Sequence, residues 1–353
     1  MNRSRINKYS VAAIVIFLSI GIFLGLKSKG PDMESFFGVL EFLHWDHPWN
    51  NYKYAREEEL KKAASLMKEA GVGFVRFDFL WQDIEPRQNE FDFEKYDRIV
   101  RLLKENKINI LGILDYNCAW QAPASKWNDP PSHSALFVSY ASKVIERYKD
   151  TVKYWEVWNE PDSHIYWSKQ DGLKSYCSLL KEVYVAAKKI DPECKILNGG
   201  LAGGLASVNK LYDNGAKDYF DILNIHFFEN PLKDDSIKAV IAYPQLAYKV
   251  MERNGDGHKK IWITEIGAPG LKEGLETKNW WMGENPGEEK QAEWLEEVFS
   301  QLRKDRNVSK VFWAFFRDCD SHWGNGIDYF GIVRKDFSKK SAFFSLKKIT
   351  SRK

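Results

Sequence analysis

The amino-acid sequence predicts one α/β domain, a (β/α)8 TIM-type barrel, preceded by a single N-terminal transmembrane signal anchor. Three observations lead there. Eight short, nearly continuously apolar runs recur between residues 36 and 315, as expected of parallel strands covered on both faces. Stretches with apolar residues at helical spacing separate them. No Pro- or Ser-rich linker divides the body of the 353-residue chain. A doubly wound open sheet is the architectural alternative, but the first strand is not followed by a Gly-rich phosphate loop, which counts against its nucleotide-binding forms.

At the N-terminus Arg3, Arg5 and Lys8 precede an uncharged, mostly apolar run from Ser10 to Leu26. That run is near the lower length limit for crossing a bilayer. Positive charge ahead of it favours a cytoplasmic N-terminus and an extracytoplasmic body. A cleaved signal peptide is the competing reading, yet Lys27-Ser28-Lys29-Gly30-Pro31 offers no A-x-A-like site. The expected division is therefore a cytoplasmic tail over 1–9, an anchor over 10–26, a linker over 27–34 and the barrel over 35–353.

In the body the expected strands are Phe36–Phe42, Gly73–Phe79, Ile108–Leu114, Val152–Trp158, Lys195–Asn198, Ile222–His226, Ile261–Glu265 and Val311–Phe315. Gly-Val-Gly-Phe-Val-Arg and Ile-Asn-Ile-Leu-Gly-Ile-Leu have the unbroken apolar character of buried strands. Between strands, Leu60, Ala63, Ala64 and Met67 fall at i, i+3, i+4 and i+7, with Gly71 as a stop. Trp294, Leu295, Val298, Phe299 and Leu302 form a second stripe, and the runs 93–106, 134–148 and 172–190 behave alike.

A parallel barrel carries its chemistry at the C-terminal ends of its strands. The polar residues there should then form a set, and they do. Arg76 lies in the second strand, Asp115-Tyr116-Asn117 follow the third, Asn159-Glu160 the fourth, Asn224-Ile225-His226 fall in the sixth, Thr264-Glu265 end the seventh and Trp313 lies in the eighth. Glu160 sits at the end of the run Trp155-Glu156-Val157-Trp158-Asn159-Glu160-Pro161, where Pro161 stops the strand and restrains Glu160 to an extended or turn-like backbone. The ends of strands four and seven face each other across a barrel mouth, so Glu160 and Glu265 can divide acid–base work. One would stay protonated to donate to a leaving oxygen. The other would stay ionised to attack a carbon or activate water. Arg76 is expected to hold Glu265 ionised, Asn159 to bind a sugar hydroxyl, His226 to order the site and Trp313 to form an apolar floor.

These pieces together resemble a clan A retaining glycoside hydrolase, most closely family 39. The resemblance rests on Trp158-Asn159-Glu160-Pro161, Ile263-Thr264-Glu265-Ile266-Gly267, Phe74-Val75-Arg76-Phe77-Asp78 with Trp81-Gln82-Asp83-Ile84-Glu85-Pro86, Leu114-Asp115-Tyr116, Asn224-Ile225-His226 and Phe312-Trp313-Ala314. It implies Glu160 as acid/base and Glu265 as nucleophile, with net retention and with no metal or organic cofactor. One departure stands out: Phe228 occupies the place, two residues after His226, where many such sequences carry a Tyr aimed at the nucleophile.

Aromatic residues cluster after the strands: Trp45 and Trp49 after the first, Trp81 after the second, Tyr116, Trp120 and Trp127 after the third, Trp280-Trp281 after the seventh and Trp323 after the eighth. As a group they suggest stacking subsites for an oligo- or polysaccharide. Tyr116, Trp120, Trp281 and Trp323 are the expected substrate contacts. His44 and His47 lack an H-x-H spacing for a metal pair. Cys118, Cys177, Cys194 and Cys319 show no C-x-x-C spacing and read as mostly unpaired. A net charge of +3, spread along the chain, argues against a nucleic-acid binder. A membrane-anchored, outward-facing glycosidase is the leading expectation. A glycan-binding scaffold that has lost turnover and a metal-dependent barrel hydrolase are the alternatives.

Overall fold

A computed structural model describes residues 35–351 apart from Ala55, Pro123 and Asp320. The expected tail, anchor and linker over 1–34 lie outside the described residues. Among the described residues no helix is long and apolar enough to cross a membrane.

Eight strands close on themselves in sequence order, each parallel to its neighbours, with β1 pairing both β2 and β8. They are β1 (Phe37–Leu40), β2 (Phe74–Leu80), β3 (Asn109–Asp115), β4 (Tyr154–Val157), β5 (Lys195–Asn198), β6 (Ile222–His226), β7 (Lys260–Ile266) and β8 (Val308–Ala314). The surrounding helices are α1 (Glu57–Glu69), the short α2 (Trp81–Ile84), α3 (Glu94–Glu105), α4 (Ser134–Tyr148), α5 (Lys174–Ile190), α6 (Gly204–Asp213), α7 (Ser236–Arg253), α8 (Glu288–Leu302) and α9 (Ser341–Thr350). The expected strands all form, with ends displaced by up to three residues.

Helix α1 shows why these segments coil. Ala63, Ala64 and Met67 bury one face, acidic Glu57, Glu58 and Glu59 complement the N-terminal end of the dipole, and Lys68 the C-terminal end. Gly71 follows at φ +75°, and a Cβ there would meet the Thr350 Oγ1 at 2.3 Å. Only glycine fits both demands.

The barrel interior is graded from apolar to polar. Phe74, Leu111, Leu197, Ile222, Trp262 and Phe312, from six strands, pack as a cluster of their own. Lys310 closes that end, its ammonium 2.6 Å from the Ser35 carbonyl and 4.4 Å from the centre of the Phe74 ring. Strand side chains alternate, so Arg76 and Asp78 follow Phe74 on the inner face of β2, and Asn224 and His226 follow Ile222 on β6. The polar residues thus occupy the layers above the apolar plug.

Strand β7 departs from strict alternation. Ile225 pairs with Ile263, but His226 pairs with Glu265, so Thr264 is an extra residue against β6. This bulge re-aims the strand end. Thr264 and Glu265, adjacent in sequence, both reach groups inside the mouth.

Candidate active site

Arg76 lies at the centre of the site, and its side chain is 1% exposed. Its guanidinium donates from Nε to Glu156 Oε2 (2.7 Å), from Nη2 to Glu156 Oε1 (2.8 Å) and Asn159 Oδ1 (2.7 Å), and from Nη1 to Glu265 Oε1 (2.6 Å). One planar fork thereby ties β2 to the ends of β4 and β7. Arg76 bonds Glu265, although burial still raises that carboxyl. Glu156, fully buried, is its bidentate partner and was not anticipated. The signal was present: Glu156 shares a strand face with Tyr154, and a carboxylate inside a barrel strand needs a cation.

Glu160 is placed by an unusual backbone. Trp158 and Glu160 have φ of +67° and +42°. Of the extended and turn-like geometries expected before Pro161, the extended one is not taken: the backbone at Glu160 is left-handed. Such conformations are costly for residues with a Cβ and cluster at functional sites. Trp158 is locked by a 2.8 Å bond from Nε1 to the Tyr166 carbonyl. Glu160 Oε1 then lies 2.7 Å from His226 Nδ1, and His226 Nε2 lies 3.0 Å from Thr264 Oγ1. Carboxyl oxygens of Glu160 and Glu265 and a ring nitrogen of His226 all fall within 4.8 Å of one another. Gly200, two residues past the end of β5, makes room for that ring: a Cβ there would stand 1.9 Å from His226 Nε2.

Burial raises both carboxyls, and their neighbours differ. Glu160 is pushed up to about 8 by desolvation and by Asp162, against the pull of Arg76. Glu265 is raised by desolvation, with His226 and Arg76 both drawing it down. Burial lowers the His226 imidazole, favouring its neutral form. Asp78 is raised to about 6 by burial, and Asp115, paired with it, is raised further by burial and by the Asp78 charge. The environments therefore separate a proton-holding Glu160 from a Glu265 bonded to a cation.

Glu160, Glu265 and His226 are also donors that a divalent cation can use. Here Arg76 bonds Glu265 Oε1 and His226 Nδ1 faces Glu160 Oε1. His44 and His47 serve separate carboxylates: His44 Nε2 is 3.3 Å from Asp78, and His47 Nε2 is 3.0 Å from Asp83, which also binds Lys95.

Trp313 corrects the sequence reading. It is fully buried, packs edge-on against Trp294 and near Phe299 of α8, and donates from Nε1 to the Phe330 carbonyl at 2.8 Å. It faces the helix layer and cannot floor a sugar. Trp81 is likewise buried, bonded to Glu85. Trp120 donates to the Glu85 carbonyl at 2.6 Å and packs on Trp81, clamping one loop to the next. The rings that do stand open are Trp49, Trp127 and Trp281, at 66%, 51% and 55% exposure. Tyr116 stands between Trp158 and Trp127, beside Tyr166, and Trp323 stacks on Phe315 at 5.1 Å. Phe228 packs against Trp281 and Phe330. Tyr166, absent from the sequence reading, lies in the field of both Glu160 and Glu265, which adds to burial in raising its phenol. All four cysteines are buried and unpaired.

A closed parallel barrel with facing carboxyls at the ends of strands 4 and 7, one bound to a strand-2 arginine, is the arrangement of a clan A glycoside hydrolase barrel. The chain belongs to the glycosyl hydrolase catalytic core family, whose model matches residues 127–329; a beta-galactosidase family model matches residues 27–113. Among curated proteins it is similar to endo-1,4-beta-xylanase A of Phanerodontia chrysosporium, 28% identical over 126 residues, covering 33% of this chain and only 29% of that relative's length. Its fold resembles that of a family 39 glycoside hydrolase from Bacteroides cellulosilyticus WH2 (TM-score 0.71, 23% identity, 90% of this chain and 63% of that one). It also resembles a monomeric beta-xylosidase from Caulobacter crescentus CB15 (TM-score 0.69, 16% identity, 91% and 69%).

Proposed function

We propose that the chain is a retaining β-glycosidase working by double displacement. Glu265 attacks the anomeric carbon and Glu160 protonates the leaving oxygen. Glu160 then takes a proton from the water that hydrolyses the glycosyl ester. The observation that carries this is the pair itself: oxygens within 4.8 Å, one carboxyl beside an imidazole and the other on a guanidinium. Retaining enzymes bring the two carboxyls to about 5–5.5 Å, whereas inverting ones leave about 6.5–9.5 Å for a water.

Exposed Trp127 and Trp281, on loops after β3 and β7, suit stacking on an oligomer and internal cleavage. Residues 10–26 support an anchored, extracytoplasmic body acting on a cell-surface or exported polysaccharide.

The test is to incubate the full-length chain with β-linked polysaccharides and aryl β-glycosides, beside Glu160→Gln and Glu265→Gln. Turnover of the polysaccharides by the wild type alone, with the β-anomer appearing first by NMR, supports the assignment. Wild-type activity in Glu265→Gln refutes it. Phe228 favours a second reading, a glycan-binding protein without turnover, because it leaves no phenol at that position to support Glu265. That reading requires oligosaccharide binding with no reducing ends released.

A further inference from the structure

The hydrogen bonds behind Glu160 form a directed chain. Asn224 and Asn198 are fully buried. Asn224 Nδ2 donates to the Asn198 carbonyl at 3.1 Å, and a carbonyl only accepts, so the Asn224 amide has one orientation. Its Oδ1 therefore faces Thr264, whose hydroxyl donates to it at 2.6 Å. Thr264 has a single hydroxyl hydrogen, and that bond uses it. Toward His226 Nε2, 3.0 Å away, Thr264 can then only accept. Nε2 must carry a hydrogen. In the neutral ring Nδ1 is left as an acceptor, and it points at Glu160 Oε1 from 2.7 Å.

We infer that Asn224 and Thr264 are positioning residues that hold His226 in its Nε2–H tautomer, so that the proton shared between His226 and Glu160 resides on Glu160. This rests on the assignment of Glu160 as the acid. The opposite tautomer would donate to Glu160 from Nδ1 and stabilise its carboxylate. The relay forbids it, because Nε2 would then set a lone pair against that of Thr264. With substrate bound, the Glu160 hydroxyl turns from Nδ1 to the leaving oxygen as the glycosidic bond breaks and the Glu265 ester forms. The carboxylate produced faces the Nδ1 lone pair, which keeps its proton affinity high for the incoming water. The charged groups around the pair are Arg76 on β2, Glu156 on β4, Asp162 on the loop after β4 and Glu265 on β7. The 3.8 Å approach of Glu265 Oε1 to Nδ1 favours an imidazolium, whereas Arg76 and burial oppose one.

The experiment uses the full-length chain and Thr264→Val, with Thr264→Ser as the conservative control. In Thr264→Val the alkaline limb of kcat/KM should move down by about one unit, since Glu160 now receives an Nδ1–H bond. Turnover should fall for glycosides with poor leaving groups and hold for dinitrophenyl ones, which need no acid. Thr264→Ser should keep the wild-type profile. A Thr264→Val profile superimposable on wild type overturns the relay. A Glu160→Gln variant that still cleaves poor leaving groups overturns instead the reading of Glu160. ¹⁵N-histidine NMR of the wild type gives an answer independent of variant folding: a protonated Nε2 and an unprotonated Nδ1 on His226 are expected, and an Nδ1–H in the neutral ring refutes the inference.

Discussion

Replacing Arg76 by Met removes four charge-assisted donations at once. Among the described residues it leaves Glu156, whose side chain has no exposure, with only the Gly200 N–H, 2.9 Å from Oε1. Breaking one partner out of a buried ion pair costs about 3–5 kcal/mol, because the other charge stays behind unpaired. That is a large share of the roughly 5–15 kcal/mol by which a domain is stable. The double variant Arg76→Met/Glu156→Leu removes both charges and leaves mainly the Gly200 N–H unsatisfied, a cost of about 1–3 kcal/mol. It should therefore be more stable than the single variant while remaining inactive, since Glu265 has still lost its cation. Urea unfolding followed by Trp fluorescence measures all members of the cycle. An Arg76→Met cost below about 1 kcal/mol, or a double variant less stable than the single one, would refute the account of the fork as a buried, mutually dependent pair.

Other expectations concern pH, space and aromatic rings. Glu160 is raised to about 8 from an ordinary 4.5. Its folded form binds a proton that the unfolded chain releases, so its contribution to stability is full below about pH 4.5 and is lost as pH rises through about 8. Glu160→Gln should thus raise the melting temperature at pH 8 more than at pH 5; a uniform effect across that window would contradict the shift. Gly200→Ala places a Cβ 1.9 Å from His226 Nε2. Crowding of this kind costs about 1–3 kcal/mol, and the displaced ring should cut turnover of glycosides with poor leaving groups most; unchanged kinetics would show that His226 is not held there. Trp281→Ala should raise KM for long oligosaccharides and leave urea stability within about 0.5 kcal/mol, as for an exposed side chain. Trp313→Ala should do the reverse, losing about 3–5 kcal/mol of stability, because its ring is buried against α8. Equal KM effects from the two would undo the distinction between them.

The strand rhythm and the placement of Glu160 and Glu265 at facing strand ends were legible because each has a local signature: unbroken apolar runs for the barrel, polar residues at the same end of successive strands for the site. What depends on facing was not. In Val311-Phe312-Trp313-Ala314 every residue is apolar, so nothing in the run says which ring looks inward; Phe312 joins the interior cluster and its neighbour Trp313 meets α8. The β7 bulge was equally hidden, since it is visible only once β6 fixes the register. Glu156 and Gly200 were overlooked for a different reason. Each acts through a residue distant in sequence, Arg76 and His226 respectively, and has no meaning until the strands are side by side.

The apolar plug beneath Arg76 and the Lys310 bond that closes it give the barrel a blind end. Any chain to be cut must lie across the single opening rather than thread through it. Both cleavage fragments and the hydrolytic water then share that one route. In the double displacement proposed above, the departing fragment would have to clear the opening before water could reach an ester on Glu265. Whatever lingers there, water or another sugar hydroxyl, becomes the next acceptor. On the proposed mechanism, the choice between hydrolysis and glycosyl transfer would then fall to the rim, where the loops carry Trp127, Trp281 and Trp323.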